Sequence, residues 1–377
     1  MVYITDEMYM RQVLREAVNG EGKVSPNPLV GAVIVKDGRV IGRGFHRGYG
    51  QPHAEREALA ACTESPEGGT LYVNLEPCCH YGKTPPCTEA IIESRLARVV
   101  CGTLDPNPLV AGKGIEQLQQ NGIKTKVGVL EPECLELNEV FFHYITEKTP
   151  FVVMKYAMTL DGKIATYSGK SKWITGEGAR EHVHRLRNLY RGIMVGISTV
   201  LTDDPLLTCR IEGGRDPVRI LCDTSLRIPM ESKIIQTAGE VETIIATSSK
   251  DAEKQKALQE RGAEILLIPE YRGHVDLRAL MEALGQRKID SILLEGGGTL
   301  HAAALERGLV NKVNAYIAPK IFGGENAPSP VAGKGIEDPA LAYRLKDARV
   351  TALGEDILLE YRTEKEMEAC LRESSKK

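Results

Sequence analysis

Aromatic side chains are scarce in this sequence, at 5%, with a single tryptophan, Trp173. Its cores must therefore be aliphatic, and the 42% hydrophobic content is enough for that. Neither sign of charge dominates: 48 basic and 51 acidic residues leave a net −3. That balance gives no basis for bulk nucleic-acid binding, which calls for a basic face. It still allows a local basic pocket for a phosphorylated small molecule. No apolar run exceeds strand length, so no membrane-spanning helix is expected. The N-terminal segment carries acids among spaced apolar residues and reads as an amphipathic helix, not a secretory leader. The nine cysteines are odd in number and scattered, apart from one cluster. With a cytosolic context this argues against a disulfide framework and leaves metal binding or catalysis for the cluster. No internal repeat is present.

At 377 residues the chain is long enough for two or three domains. The first third alternates. Apolar spacing predicts a helix over 6–18. "LVGAVIVKDGRVIGRGF" then reads as a hairpin turning at Asp37-Gly38. A helix near 53–62, the strand "TLYVNL", a helix after Cys87, the strand "ARVVCGTL", a helix near 115–121 and the strand "KTKVGVL" follow. One last helix is predicted from about 133 to 145. The pattern is α/β, with a mixed sheet between helical layers. "TEKTPF" is polar, contains a proline and marks a boundary. The second part starts with a strand in "FVVMKYAMTLDGKIA" and again alternates strands with helices, as a largely parallel sheet would. The charged tail is expected to fray. The predicted division is 1–147, 148–363 and a tail at 364–377.

The cysteine cluster lies in "EPCCHYGKTPPC", residues 76–87, downstream of "HAE" at 53–55. Zinc takes imidazole nitrogen and thiolate sulfur in tetrahedral geometry, and a catalytic site leaves its fourth position to water. His53, Cys78 and Cys87 fit three ligands. Glu55, two residues from His53, is a poor fourth ligand but a good proton shuttle. H-x-E followed by P-C…C is the signature of zinc nucleobase deaminases, in which the glutamate is not a ligand. Here eight residues separate the cysteines instead of the common two. A closed structural site would need Cys79 or His80 as a fourth ligand, and Cys79 adjoins Cys78. Cys62, Cys101, Cys134, Cys209 and Cys222 lie in apolar runs and read as small buried hydrophobes, and Cys370 sits in the tail.

With that insertion, "PCCHYGKTPPC" after "HAE" resembles the bifunctional riboflavin-biosynthesis deaminase/reductase family, RibD or RibG. The resemblance implies an N-terminal cytidine-deaminase-like three-layer domain with one Zn2+, held by His53, Cys78 and Cys87, and Glu55 as catalytic residue. It also implies that Asn27 in "SPNP" binds the pyrimidine ring. His80, Lys83 and Thr84 are in place for polar contacts to substrate, with Lys83 suited to a phosphate. His46 could line the pocket or simply end a strand, and His143 reads as a helix-surface residue.

No G-x-G-x-x-G follows the first strand of the second part, which speaks against a Rossmann site. "EGGGT", residues 295–299, ends an apolar strand and opens a helix, which suits a cofactor pyrophosphate. Together with "MKYAMTLDGKIA", "SKWITGEGAR" and "VGISTVLTDDPLLTCR", it looks like the family's dihydrofolate-reductase-like C-terminal domain. That resemblance spans about residues 1–362. It implies NADPH contacts from Ala157, Trp173, Thr199, Asp203, Ser225 and the turn Gly296, Gly297, Gly298 and Thr299. It implies substrate contacts from Ser171, Arg187, Leu207, Arg210 and Glu295, with Arg187 and Arg210 chemically suited to clamp a phosphate. Lys155 is a candidate for polarising or protonating the substrate. Trp173 could instead be core, and Asp161-Gly162 simply a turn. "TSSK" at 247–250 offers hydroxyls and a lysine for the 2′-phosphate of NADPH, or else an ordinary helix cap.

The function implied is zinc-dependent hydrolytic deamination of a phosphoribosylamino-diaminopyrimidine, then NADPH-dependent reduction of its ribosyl group. The rival reading is a monofunctional zinc deaminase whose second domain does no chemistry. A cytoplasmic homo-oligomer, dimer or tetramer, is the family expectation, with no nucleic acid and no membrane as partner.

Overall fold

The computed structural model describes residues 5–81, 85–107 and 110–364. The chain divides into two compact units between Lys148 and Thr149. Among the described residues no helix is long and apolar enough to cross a membrane.

The first unit runs α1 (Asp6–Val18), β1 (Gly31–Lys36), β2 (Arg39–Phe45), α2 (Ala54–Ala60), β3 (Thr70–Leu75), α3 (Cys87–Glu93), β4 (Arg98–Thr103), α4 (Lys113–Gln120), β5 (Lys124–Val127), α5 (Glu131–Leu137) and α6 (Glu139–Glu147). Its sheet has the order β2-β1-β3-β4-β5. The first two pairings are antiparallel and the last two parallel, so the sheet is mixed. Asp37 and Gly38 both have positive φ, as a two-residue hairpin turn of matching twist requires. Along β1, Ala32 and Ile34 pack in one cluster with Ala54, Ala58, Ile91 and Leu118, while Val33 and Val35 pack in another with Met10 and Val13. Both faces are therefore covered by helices, giving three layers. Gly42 and Gly44 let α2 lie close on β2: a Cβ at Gly44 would meet Ala58 N at 2.4 Å and Ala54 O at 2.5 Å. That close packing fixes the start of α2, where His53 sits.

Two boundaries differ from the sequence pattern. The predicted 133–145 helix is two helices that break at Asn138, whose φ of −111° is not helical. Asn138 is buried, and its carboxamide grips Leu29 from both sides, accepting from Leu29 N at 2.8 Å and donating to Leu29 O at 2.9 Å. A long-range hydrogen-bond pair has overridden helical periodicity. The "KTKVGVL" strand stops at Val127 because Gly128, at φ 90°, turns the chain away.

The second unit runs β6 (Phe151–Thr159), α7 (Glu177–Leu189), β7 (Gly192–Gly196), α8 (Ile197–Asp203), β8 (Val218–Cys222), α9 (Lys233–Gln236), β9 (Thr243–Thr247), α10 (Ala252–Glu260), β10 (Glu264–Leu267), β11 (Glu270–Tyr271), β12 (His274–Val275), α11 (Leu277–Gln286), β13 (Ser291–Leu294), α12 (Gly298–Glu306), β14 (Val310–Ala318), β15 (Leu345–Leu353) and β16 (Asp356–Thr363). Its main sheet has the order β10-β9-β8-β7-β13-β6-β14-β16-β15. The first seven strands are parallel and the hairpin β15–β16 closes the edge antiparallel. The strand in "FVVMKYAMTLDGKIA" ends at Thr159, where Asp161-Gly162 makes a turn. β15 has no apolar run and escapes sequence reading; it is exposed along almost its whole length. The predicted tail past Glu364 lies outside the described residues.

Candidate active sites

His53 caps α2, Cys87 opens α3, and Cys78 lies in the loop after β3. Three elements thus deliver the donors to one point. His53 Nδ1 lies 3.4 Å from Cys78 Sγ and 3.4 Å from Cys87 Sγ. Donors on one tetrahedral zinc would stand about 3.5 Å apart, from Zn–S and Zn–N bonds of ~2.3 and ~2.0 Å. The three side chains therefore fit zinc without rearrangement, and they form the metal-ligand group found among the described residues. Cys78 is primed as a thiolate. The Cys87 hydrogen bond and His53 draw its pKa well down, while Cys78 and burial push Cys87 up. Metal binding requires both sulfurs as thiolates, so zinc would displace any proton they hold.

Glu55 is 3% exposed, and its Oε2 has no hydrogen-bond partner. Burial raises its pKa, against the pull of nearby His53, so the carboxyl is set to take and return a proton. His46 is buried, with its ring edge-on to His53 at 5.4 Å. Its Nδ1 lies 3.1 Å from Pro52 O, an acceptor only, so Nδ1 carries the proton. Its Nε2, 3.0 Å away, then accepts from Asn27 Nδ2. Burial lowers the His46 pKa and favours this neutral form. Asn27 is thereby oriented with Oδ1 as its remaining acceptor. Asn74 and Asn138 together hold Leu29, two residues on.

His80 Nδ1 is buried and unpartnered. Asp105 lies close enough to His80 and Cys78 to feel both charges, and burial carries its carboxyl up to about 6. No motif in the sequence marked Asp105. Lys83 and Thr84 lie outside the described residues.

In the second unit a cleft of about 720 Å³ opens over β6 and α7. Ala157, Trp173, Thr199 and Asp203, expected at the cofactor, line it. So do Ser171, Arg187, Leu207, Arg210 and Glu295, expected at the substrate, together with Lys155. Trp173 is 64% exposed, which removes the core alternative. Ser225 and the Gly296–Thr299 turn do not line this cleft. Gly296 and Gly297 break the chain between β13 and α12, which Gly298 and Thr299 open.

Glu295 organises the cleft floor. Arg187 grips it bidentately, Nε to Oε1 at 2.9 Å and Nη2 to Oε2 at 3.0 Å, and Lys155 Nζ lies 3.5 Å from Oε2. Burial alone would raise the carboxyl, but Arg187 and Lys155 override it and bring it down to about 2. Arg187 is thus engaged by Glu295 and by Thr208 O, whereas Arg210 has no carboxylate partner among the described residues. His184, unmarked in the sequence, lines the same cleft with a buried, unpartnered Nδ1.

The "TSSK" hydroxyls all make hydrogen bonds within the chain. Thr247 Oγ1 donates to Thr224 O at 3.0 Å, and Ser248 Oγ donates to Glu270 Oε1 at 2.6 Å with Thr224 O a further 3.1 Å neighbour. Asp251, just past this stretch, caps α10 by accepting from Lys254 N at 3.0 Å, and Ser249 Oγ accepts from Asp251 N at 3.3 Å. Cys101 and Cys134 are buried, while Cys62, Cys209 and Cys222 are only half-buried. His143 is partly buried.

Residues 4–103 match the cytidine and deoxycytidylate deaminase zinc-binding region, and residues 150–359 match the RibD C-terminal domain. The chain is 50% identical over 358 residues to the riboflavin biosynthesis protein RibD of Actinobacillus pleuropneumoniae, covering 95% of each. It is 40% identical to that of Escherichia coli K12, covering 94% of this chain and 98% of the other. Among solved structures, a diaminohydroxyphosphoribosylaminopyrimidine deaminase/5-amino-6-(5-phosphoribosylamino)uracil reductase of Thermotoga maritima superposes with a TM-score of 0.85 at 40% identity, covering 95% and 98%. Acinetobacter baumannii RibD gives 0.86 at 37%, covering 95% and 99%. The chain belongs to the RibD family of riboflavin-biosynthesis enzymes, with a zinc-dependent deaminase domain followed by an NADPH-dependent reductase domain.

Proposed function

We propose that the first unit deaminates 2,5-diamino-6-(5-phosphoribosylamino)pyrimidin-4(3H)-one and that the second then reduces the ribosyl group of the product to a ribityl chain. The convergence of His53, Cys78 and Cys87 beside a buried Glu55 whose Oε2 has no hydrogen-bond partner carries this reading. When bound, zinc supplies a Lewis acid for water and NADPH a hydride. Glu55 takes the proton of the attacking water and hands it to the departing ammonia. Asn27, oriented by His46, receives a donor on the pyrimidine edge, and His80 adds a polar contact. Lys83 and Thr84 are proposed to join them at the phosphate side.

In the cleft, Glu295 holds Lys155 and Arg187 in place. Lys155 is placed to give a proton to the ring oxygen as its bond to the anomeric carbon breaks and that carbon takes up hydride, and Arg210 meets the phosphate. Ser171 and Leu207 are assigned to the substrate. Ala157, Trp173, Thr199, Asp203, Ser225 and the turn Gly296, Gly297, Gly298 and Thr299 are assigned to NADPH.

The enzyme is proposed to act in the cytoplasm as a homo-oligomer. The exposed edge strand β15, with apolar Leu345 and Val350 among its exposed residues, supports self-association.

A paired assay tests the function. Purified enzyme receives the diaminopyrimidine first without and then with NADPH, while ammonia and reduced-nicotinamide absorbance are followed. Ammonia release before NADPH, then oxidation after its addition, is the expected result. Ammonia without oxidation would leave only the deaminase, and neither signal from zinc-replete enzyme would overturn the substrate assignment.

A further inference from the structure

Glu76 stands two residues before the ligand Cys78 and is 4% exposed, yet it has no ion-pair partner among the described residues. Its carboxylate instead accepts four backbone N–H groups. Oε2 accepts from Asp105 N at 3.2 Å and from Gly112 N at 2.9 Å. Oε1 accepts from Gly114 N at 2.9 Å and from Ile115 N at 3.1 Å. Asp105 and Gly112 belong to the connection between β4 and α4, and Gly114 and Ile115 to the first turn of α4. The approach is tight: a Cβ at Gly114 would meet Pro77 O at 2.2 Å. Asp105 turns back on Asn107, accepting from its N at 2.8 Å, and its carboxyl is near enough to Glu76, His80 and Cys78 to feel their charges. One carboxylate therefore ties the loop bearing the ligand Cys78 to the connection bearing Asp105 and to the N-terminus of α4.

We infer that Glu76 is a positioning residue for deamination, acting through the residue 105–107 turn as the wall that receives the amino groups of the pyrimidine. A carboxylate suits the role because both its oxygens accept. An amide would turn an N–H pair toward two backbone donors, leaving buried donors unpaired. Neither unit's ligands include Glu76, so its loss moves the pocket wall and not the metal. The inference rests on the proposed deamination reaction, and wild-type ammonia release tests that reaction separately.

The test is Glu76→Gln in the full-length enzyme, with reductase activity on the deaminated intermediate as an internal control of folding. The expected result is one zinc per chain, unchanged reduction and a deaminase KM raised by about tenfold or more, the scale of lost supporting contacts at such sites. Asp105→Asn should give the same KM defect, and the double variant should add nothing to it. If Glu76→Gln does not fold, Glu76→Asp, which keeps the charge but withdraws it by one methylene, should show a smaller KM defect of the same kind. A wild-type KM in the soluble Glu76 variant, zinc loss in step with lost activity, additive effects in the double variant, or a wild-type Asp105→Asn would each overturn the inference.

Discussion

The two sites of this chain are assembled in opposite ways. The deaminase centre draws its metal ligands from two short motifs, the first beginning and the second ending at the start of a helix. The reductase cleft draws Lys155, Arg187, Arg210 and Glu295 from four separated stretches of chain, held together by a buried carboxylate with two cations. A metal supplies the cohesion in the first, and ion pairing in the second. Removing one ligand should therefore silence one site without disturbing the other, whereas removing the carboxylate should damage structure and activity together.

The largest effect is expected from Cys87→Ser. It should abolish stoichiometric zinc and bring ammonia release to background while leaving NADPH oxidation intact, as metal analysis and the two assays would show. Full deamination by a zinc-free variant would break the comparison at its root. Next comes Glu55→Gln, which should keep its zinc but slow deamination by about 10²–10⁴-fold, the usual contribution of a positioned acid–base group. Activity within twofold of wild type would remove Glu55 from proton transfer.

On the reductase side, Glu295→Gln should leave Arg187 and Lys155 as unbalanced buried cations. Breaking a buried pair in this way costs about 3–5 kcal/mol. Urea unfolding followed by Trp173, the only tryptophan and a residue of this unit, should show the loss, while deamination under native conditions persists. An unchanged midpoint would mean that the cleft does not depend on the carboxylate.

Acid sharpens the same point. The Glu295 carboxyl sits at about 2 in the folded unit against an ordinary 4.5. A depressed carboxyl contributes stability that is fully present above its ordinary value and is lost as pH falls toward the folded value. The Trp173 unfolding midpoint should therefore fall between about pH 4.5 and 2. Glu295→Gln should flatten part of that slope, and an equal slope in both proteins would assign the acid sensitivity elsewhere.

This contrast also explains what could be read from the sequence. Zinc chemistry demands particular residue types at close spacing, so His53, Glu55, Cys78 and Cys87 stand out unaided. The alternation of strands and helices was likewise visible, because apolar periodicity is local. What escaped was long-range hydrogen bonding by ordinary residues. Asn138 breaks a helix to hold Leu29, and Glu76 gathers amides about 30 to 40 residues away. His46 orients Asn27 through a tautomer that only the fold defines. β15 was missed because an exposed edge strand carries no hydrophobic alternation. In "TSSK" the residue types suit a phosphate, while the fold gives two of its hydroxyls partners that the sequence did not show, Thr224 O for Thr247 and Glu270 for Ser248.

That last point yields the smallest expected effect. Ser248→Ala removes one hydroxyl whose partners are a backbone carbonyl and the Glu270 carboxylate. A negative side chain at hydrogen-bond distance would repel a phosphate, and the half-exposed hydroxyl has no need of one. The KM for NADPH should stay within about twofold, and stability should change by about 1 kcal/mol or less. A tenfold rise in that KM, with NADH unaffected, would put the 2′-phosphate at Ser248 after all. It would also mean that Glu270 swings away when the cofactor binds, an adaptability in the second unit that contrasts with a deaminase centre fixed by its ligands.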